Sequence, residues 1–346
     1  MIIEGFDTSK KVMVIAEIGN NHEGSYALAE ELIGLAASAG ADAVKFQTIT
    51  PEKLVTRDDP DRIAQLNRFK LSFKDFEKLS KSAKREKVLF LSTPFDLESA
   101  RFLSEIVPAF KIASGDNNFY PLMEYLCSTG KPILMSTGLA SLVQIRHSRQ
   151  FILRQWQKRK IRQDLALLHC VSQYPVPVEQ ANLSAVASLA RINKTVGYSD
   201  HTLGIDACVL AVAMGARIIE KHFTINKNHS SFSDHLLSAD PAELALLVKR
   251  IKEAGQMLGD GKIPDEKTMS GQIKRLRRSI AASRDLKKGA VVSERDLVWV
   301  RPGSGFPPGQ EKVIIGKRLK KDVQQGEIFL KDHLCAALPV ILDEKK

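Results

Sequence analysis

The 346 residues are 44% hydrophobic and 26% charged, enough for one barrel-sized domain of about 250 residues plus a small second one, with a core that needs no disulfide or structural metal. The net charge of +11 raises nucleic acid as a partner, but its excess lies in 146–162 and 274–278 without any nucleic-acid motif or interleaved aromatics; a solvated helix face and a basic linker explain it as well, and it also favours anionic small substrates by steering. Four cysteines without CxxC spacing read as buried free thiols in a reducing compartment, MIIEGFDTSKK has no signal-peptide core, and the longest apolar run (205–219) is too short to span a membrane, so a cytoplasmic protein is expected, with no membrane partner.

Eight short β-branched, apolar runs are predicted as strands: 12–19, 42–48, 88–93, 110–114, 132–137, 165–170, 195–200 and 217–223. Amphipathic helices are predicted between and after them at 25–39, 72–86, 97–107, 121–129, 142–156, 182–192, 205–213 and 241–258, with Ser72 as an N-cap and Asp75 three residues on. Such alternation implies a parallel sheet, and eight units imply closure into a (β/α)8 TIM barrel of the α/β class over 1–259. A doubly wound open sheet is the rival; the lack of GxGxxG after the first strand argues against a Rossmann domain. Polar residues 260–278 read as a linker, and the glycine turns and short apolar runs of 279–346 as a β-rich domain.

Nearly every strand carries polar residues at its C-terminal end: Glu17, Lys45, Gln47, Thr93, Lys111, Ser114, Ser136, His169, Asp200, His201, Glu220 and His222. Buried strands have no structural use for such tips, whereas a TIM barrel places its active site there. Lys45 and Lys111 with Thr93, Ser114 and Ser136 suit a phosphate or carboxylate; the bland reading pairs the lysines with Glu17 and Asp116. His201 and His222, on neighbouring strands, suit either one divalent metal open to water and substrate or a hydrogen-bonded histidine pair. Glu17, Asp116, Glu220 and Asp234 are candidate acids or bases, and Tyr174 lies on the loop after the sixth strand.

AEIGNNHEGS (16–25), ADAVKFQT (41–48), STPFD (92–96), KIASGD (111–116), MSTGLAS (135–141), HCVSQYP (169–175), GYSDHT (197–202) and EKHFT (220–224) together resemble, in order, the barrel motifs of the sialic acid synthase family. The tail from Ser279, with RPGSG (301–305), resembles that family's antifreeze-like (SAF) domain. The resemblance implies a metal-dependent transferase condensing phosphoenolpyruvate with an N-acetylated hexosamine, N-acetylmannosamine first. A diacetamido-trideoxyhexose, giving legionaminic or pseudaminic acid, is the alternative, and a non-catalytic carbohydrate-binding or coat protein is the reading from another class. It implies that His201 and His222 bind manganese or magnesium, cobalt being a further option, and that Lys45, Thr93, Lys111, Ser114 and Ser136 hold phosphoenolpyruvate. It makes Glu17, Lys45 and Asp116 catalytic, and turns Gln47, Ser172, Tyr174, Asp234 and Arg301 to the sugar. Arg301 would come from the partner of a domain-swapped homodimer. The chain departs from the family pattern at Asp116, where Glu is usual, in the loops 48–71 and 225–235, which lack the expected TG and GPD, and in the longer basic stretch 144–162.

Overall fold

The computed structural model describes residues 1–335, in two compact units that divide between Gly259 and Asp260. The first unit is built on eight parallel strands: β1 (Met13–Gly19), β2 (Ala43–Thr48), β3 (Leu89–Pro94), β4 (Phe110–Ile112), β5 (Ile133–Ser136), β6 (Leu165–Cys170), β7 (Thr195–Asp200) and β8 (Ile218–His222). They pair in the order β3-β2-β1-β8-β7-β6-β5-β4. Leu91 on β3 and Ala109, just before β4, share one apolar cluster, so the remaining seam closes by packing into a barrel.

Alternation along each strand divides its residues between the two faces. Val14, Ala16, Val44, Phe46, Phe90, Ile112 and Leu167 face the surrounding helices. Met13, Ile15, Ala43, Leu91, Leu134, Ala166, Leu168 and Ile218 form a second cluster, inside the barrel. Two residues further along the same inward rows stand Glu17, Lys45, Thr93, Ser136, Cys170 and Glu220. The interior is thus apolar at the strand starts and polar at their ends. A hairpin of Ile2–Ile3 and Phe6–Asp7 packs Met1 and Ile3 on the apolar layer and fills the barrel floor. On β7 only glycine fits at 197, where a Cβ would meet the Ile218 carbonyl oxygen at 2.5 Å.

The helices are α1 (Tyr26–Ser38), α2 (Pro51–Leu54), α3 (Pro60–Phe69), α4 (Phe73–Arg85), α5 (Leu97–Leu103), α6 (Tyr120–Ser128), α7 (Leu142–Lys158), α8 (Ser184–Ala190), α9 (Asp206–Ala213), α10 (Asp234–Leu237) and α11 (Pro241–Leu258). Ser72 and Asp75 close a capping box on α4, and Asp240 and Glu243 another on α11. The segment 48–71 is not an open loop, as the sequence suggested. Asp59 caps α3 with Pro60 behind it, and Leu66 and Phe69 are its buried residues. Its other eight residues are exposed or half-buried, so its apolar period is weak.

In the second unit β9 (Ser279–Ala282) and β10 (Leu297–Val300) pair antiparallel over a core of Ile280, Leu286, Val292, Phe306, Ile314, Val323 and Phe329. A short helix, α12 (Ser270–Leu276), lies within the stretch read as linker. Residues 336–346 of the expected β-rich domain lie outside the described residues. Among the described residues no helix is long and apolar enough to cross a membrane. Three cysteines are buried and free, and Cys335 is free but only half-buried.

Candidate active site

The strand ends open into a cleft of about 490 Å³. At its base two lysines and two carboxyl groups form a charge box. Lys45 Nζ lies 2.8 Å from Glu17 Oε2 and 3.8 Å from Glu220 Oε1, and donates to Thr93 Oγ1 at 3.1 Å. Lys111 Nζ donates to Ser136 Oγ at 2.7 Å and stands 3.6 Å from Glu220 Oε1, which also accepts from Ser199 Oγ at 2.9 Å. All four charged side chains are buried. Gln47 Nε2 donates to Glu17 Oε1 at 3.1 Å and is itself held by Asn20.

Burial sets the electrostatics, and neighbours correct it. Burial raises the Glu17 carboxyl, and Glu220 adds to this, more than Lys45 lowers it. Burial also opposes the charge on Glu220, but Lys111, Lys45 and Ser199 overcome it and hold that carboxyl below its ordinary value. Lys111 is lowered by burial, whereas for Lys45 the two glutamates outweigh burial and raise it. Glu220 is therefore the ionised partner of both lysines, and Glu17 keeps its proton to higher pH.

His201 and His222 face each other with ring centroids 5.4 Å apart, and Tyr174 covers His201 at 4.1 Å. His201 Nδ1 is engaged by the Val171 carbonyl at 2.7 Å, which leaves Nε2 as the free nitrogen. His222 Nδ1 is buried without a partner, and burial together with His201 holds this imidazole neutral, well below its usual value. The free Nε2 of His201 and the neutral, partnerless His222 imidazole, on adjacent strand ends, fit a divalent ion that keeps most positions for water and other oxygen ligands. Among the described residues no third His, Cys, Asp or Glu completes a closed metal cluster. Cys170 Sγ lies 3.8 Å from His201 Nδ1; burial raises this thiol, but the His201 contact outweighs it and lowers it.

Ser114 and Ser172 line the cleft with buried hydroxyl oxygens that have no partner. Both meet at Gly138, where a Cβ would stand 2.6 and 2.5 Å from them. Two orphaned hydroxyls over a residue without a side chain make a cradle for a ligand oxygen.

The cleft thus gathers Glu17, Lys45, Gln47, Thr93, Lys111, Ser114, Ser136, Ser172, Tyr174, His201, His222 and Asp234. Asp116 does not line it; its buried Oδ2 has no partner, and burial pushes the carboxyl up to about 6. Arg301 is exposed on the second unit. Two of the polar strand tips point elsewhere. His169 bonds the Ala181 carbonyl and stacks on Tyr198, and Asp200 pairs with Lys221 at 2.7 Å. The sequence reading missed Cys170 and Ser199, held Glu220 only as one of four candidate acids or bases, and overlooked a wall of Arg62, Leu66, Phe69, Phe95 and Phe232. Period-two counting from His222 and Leu168 finds Glu220 and Cys170. Apart from Phe95, which directly follows β3, the wall comes from α3 and the loop after β8, and no strand pattern announces it.

The NeuB family model matches residues 32–263, and the SAF domain model matches 277–334. The chain is 37% identical over 335 residues to the N,N'-diacetyllegionaminic acid synthase of Campylobacter jejuni, covering 92% of this chain and 99% of that protein. It is 28% identical over 339 residues to the N-acetylneuraminate-9-phosphate synthase of Homo sapiens, covering 92% and 91%. The crystal structure of sialic acid synthetase from Leptospira borgpetersenii, in complex with citrate, superposes with a TM-score of 0.71 at 35% identity, over 76% of this chain and 90% of that one. Because the family model runs from the first barrel helix past the last, and a named synthase aligns along nearly the whole chain, the protein belongs to the NeuB family and carries a SAF domain after its barrel.

Proposed function

We propose that this enzyme condenses phosphoenolpyruvate with the open-chain form of an N-acetylated amino sugar, giving a nonulosonic acid and phosphate. The observation that carries the reading is the buried box of two lysines beside partnerless hydroxyls and the facing pair His201 and His222, in one cleft. It supplies cations and donors for a phosphate and a carboxylate, and a polar end for an aldehyde.

Lys45 with Thr93, and Lys111 with Ser114 and Ser136, hold phosphoenolpyruvate so that C3 faces the sugar's C1 aldehyde. A divalent ion at His201 and His222 (manganese, magnesium or cobalt) supplies Lewis acidity toward the aldehyde oxygen when bound. The C3–C1 bond forms and positive charge develops at C2. Glu17 delivers its proton to the C1 oxygen. Water adds at C2 and gives one proton back to Glu17; the C2–O bond to phosphate then breaks, the remaining hydroxyl proton leaves with the phosphate, and the 2-keto group is left. Lys45 and Lys111 stabilise the departing phosphate. Tyr174, Gln47, Ser172 and Asp234 orient the sugar, and Asp116 acts from behind the lining.

Between the two acceptors, the apolar wall of Leu66, Phe69, Phe95 and Phe232 favours the diacetamido-trideoxyhexose, whose 6-methyl and second acetyl group add apolar surface. We also propose that Arg301 serves a neighbouring copy's barrel. Leu139, Val143, Val178 and Leu203 are exposed on the loops after β5, β6 and β7 and on α7, and offer an apolar rim for a second copy to cover.

The test is incubation with phosphoenolpyruvate, manganese and a panel of mono- and diacetamido hexoses, with mass spectrometry of the product. One keto acid per phosphate is expected, with the diacetamido sugar the fastest. No phosphate release with any sugar would refute the reading. Mixing Arg301→Ala with Lys111→Ala subunits should restore part of the activity; verified heterodimers without activity refute the exchange.

A further inference from the structure

The residues 21–24 contribute no side chain to the cleft, yet they touch both loops that form its acceptor side. Asn21 Nδ2 donates to the Phe223 carbonyl at 2.9 Å and to Ser238 Oγ at 2.9 Å, and Ser238 in turn donates to the Asp234 carbonyl at 2.6 Å. Both ends of the loop after β8 are thereby fixed to the loop after β1.

The middle of that loop is held by Glu23. Its Oε1 accepts from Ser230 Oγ and from Nε2 of His235 at 2.9 Å, and His235 Nδ1 meets Thr224 Oγ1 at 2.7 Å. The His235 side chain is fully buried, so both ring nitrogens find their partners inside the protein. Glu23 has a left-handed backbone, φ 47°, a conformation unusual for a residue with a side chain and one that the surrounding contacts must hold. The neighbouring Gly24, φ 82°, presses on α3 so closely that a Cβ would lie 2.2 Å from the Arg68 carbonyl oxygen. Helix α3 brings Arg62, Leu66 and Phe69 to the cleft, and Phe69 meets Phe232 at 4.8 Å. The loop after β8 brings Phe232, Ser233 and Asp234. One tight turn therefore sets the spacing of the two walls.

We propose that Glu23 and His235 form a latch that positions Asp234 and Phe232 against α3, making Glu23 a positioning residue for the acceptor sugar and not for phosphoenolpyruvate. The proposal rests on the acceptor-side reading above. The charge box belongs to β1, β2, β4 and β8 and shares no hydrogen bond with the latch, so the two substrates should respond separately to its loss.

The experiment compares Glu23→Ala, Glu23→Gln and His235→Asn with the full-length protein. Glu23→Ala should raise the acceptor KM by about 10-fold or more, the loss expected for charge-assisted bonds, with kcat and the phosphoenolpyruvate Kd little changed. Glu23→Gln, whose amide oxygen still accepts from Ser230 and His235, should recover most of the loss, as a merely structural defect would not. His235→Asn should resemble Glu23→Ala. Hydrogen exchange of the 224–237 amides should quicken in Glu23→Ala without any substrate present. Unchanged exchange there, or a phosphoenolpyruvate Kd that weakens in step with the acceptor KM, overturns the latch. Should Glu23→Ala fail to fold, Glu23→Gln and His235→Asn give the same comparison. Should the wild type accept no sugar at all, the functional reading falls while the exchange measurement still decides the latch.

Discussion

Lys111→Met removes one ammonium from the charge box and keeps the length of the side chain. The deleted group is buried, donates to Ser136 Oγ at 2.7 Å, and lies 3.6 Å from Glu220. Glu220 would then keep Lys45, 3.8 Å away, as its one cation in the box. A charge-assisted bond to a buried anion contributes about 1.5–3 kcal/mol, which at about 1.36 kcal/mol per decade is a 10- to 150-fold weaker Kd for phosphoenolpyruvate. Calorimetric titration with phosphoenolpyruvate reads this directly, alongside phosphate release at saturating sugar. The sugar KM should move by less than about threefold, since only a small indirect effect is expected across separate subsites. A normal phosphoenolpyruvate Kd with a raised sugar KM would refute the assignment of Lys111 to the phosphate side.

Chelation by EDTA should abolish phosphate release and manganese should restore it; full activity after rigorous chelation would remove the metal from the reaction. His201→Ala and His222→Ala should each lose most activity and retain the wild-type circular dichroism spectrum. Lys221→Met leaves Asp200 buried without its cation and should cost about 3–5 kcal/mol, read as a fall in denaturation midpoint; an unchanged midpoint would show that the pair is neutral to stability. Asp116 is pushed up to about 6 by burial, so the folded state binds its proton more tightly than the unfolded chain does. Its contribution to stability is therefore full below the unfolded value and is lost as pH rises through about 6. Asp116→Asn should flatten stability between pH 4 and 7 in urea titrations, and an unaltered pH profile would contradict the raised value.

The eight strands were legible because each alternates, and because Lys, Glu and His at a strand tip contradict burial unless a site lies there. The same alternation explains the errors. His169 and Cys170 are neighbours, as are Ser199 and Asp200, and one residue decides which enters the barrel. Polarity alone favours His169 and Asp200, whereas the inward row, followed up from Leu168 and Gly197, selects Cys170 and Ser199. The wall of Leu66, Phe69 and Phe232 was hidden for another reason. Leu66 and Phe69 on α3 are spaced three apart in a short polar helix, and Phe232 lies on a loop, so neither shows a period to count. The latch joins Glu23 to His235 across 212 positions, a separation over which local patterns carry no information.

Because Met1, Ile3 and the apolar layer fill the barrel floor, traffic in the proposed reaction uses the single mouth at the strand ends. In that proposal phosphoenolpyruvate sits at the base of the cleft and the sugar nearer its rim, so a bound sugar would block the way to the lysines. Kinetics should accordingly be ordered, with phosphoenolpyruvate first and the sugar second. On the way out the keto acid must clear the mouth before phosphate can follow. Inorganic phosphate would then compete with phosphoenolpyruvate for the free enzyme, and the keto acid, meeting the phosphate-bound form, would not.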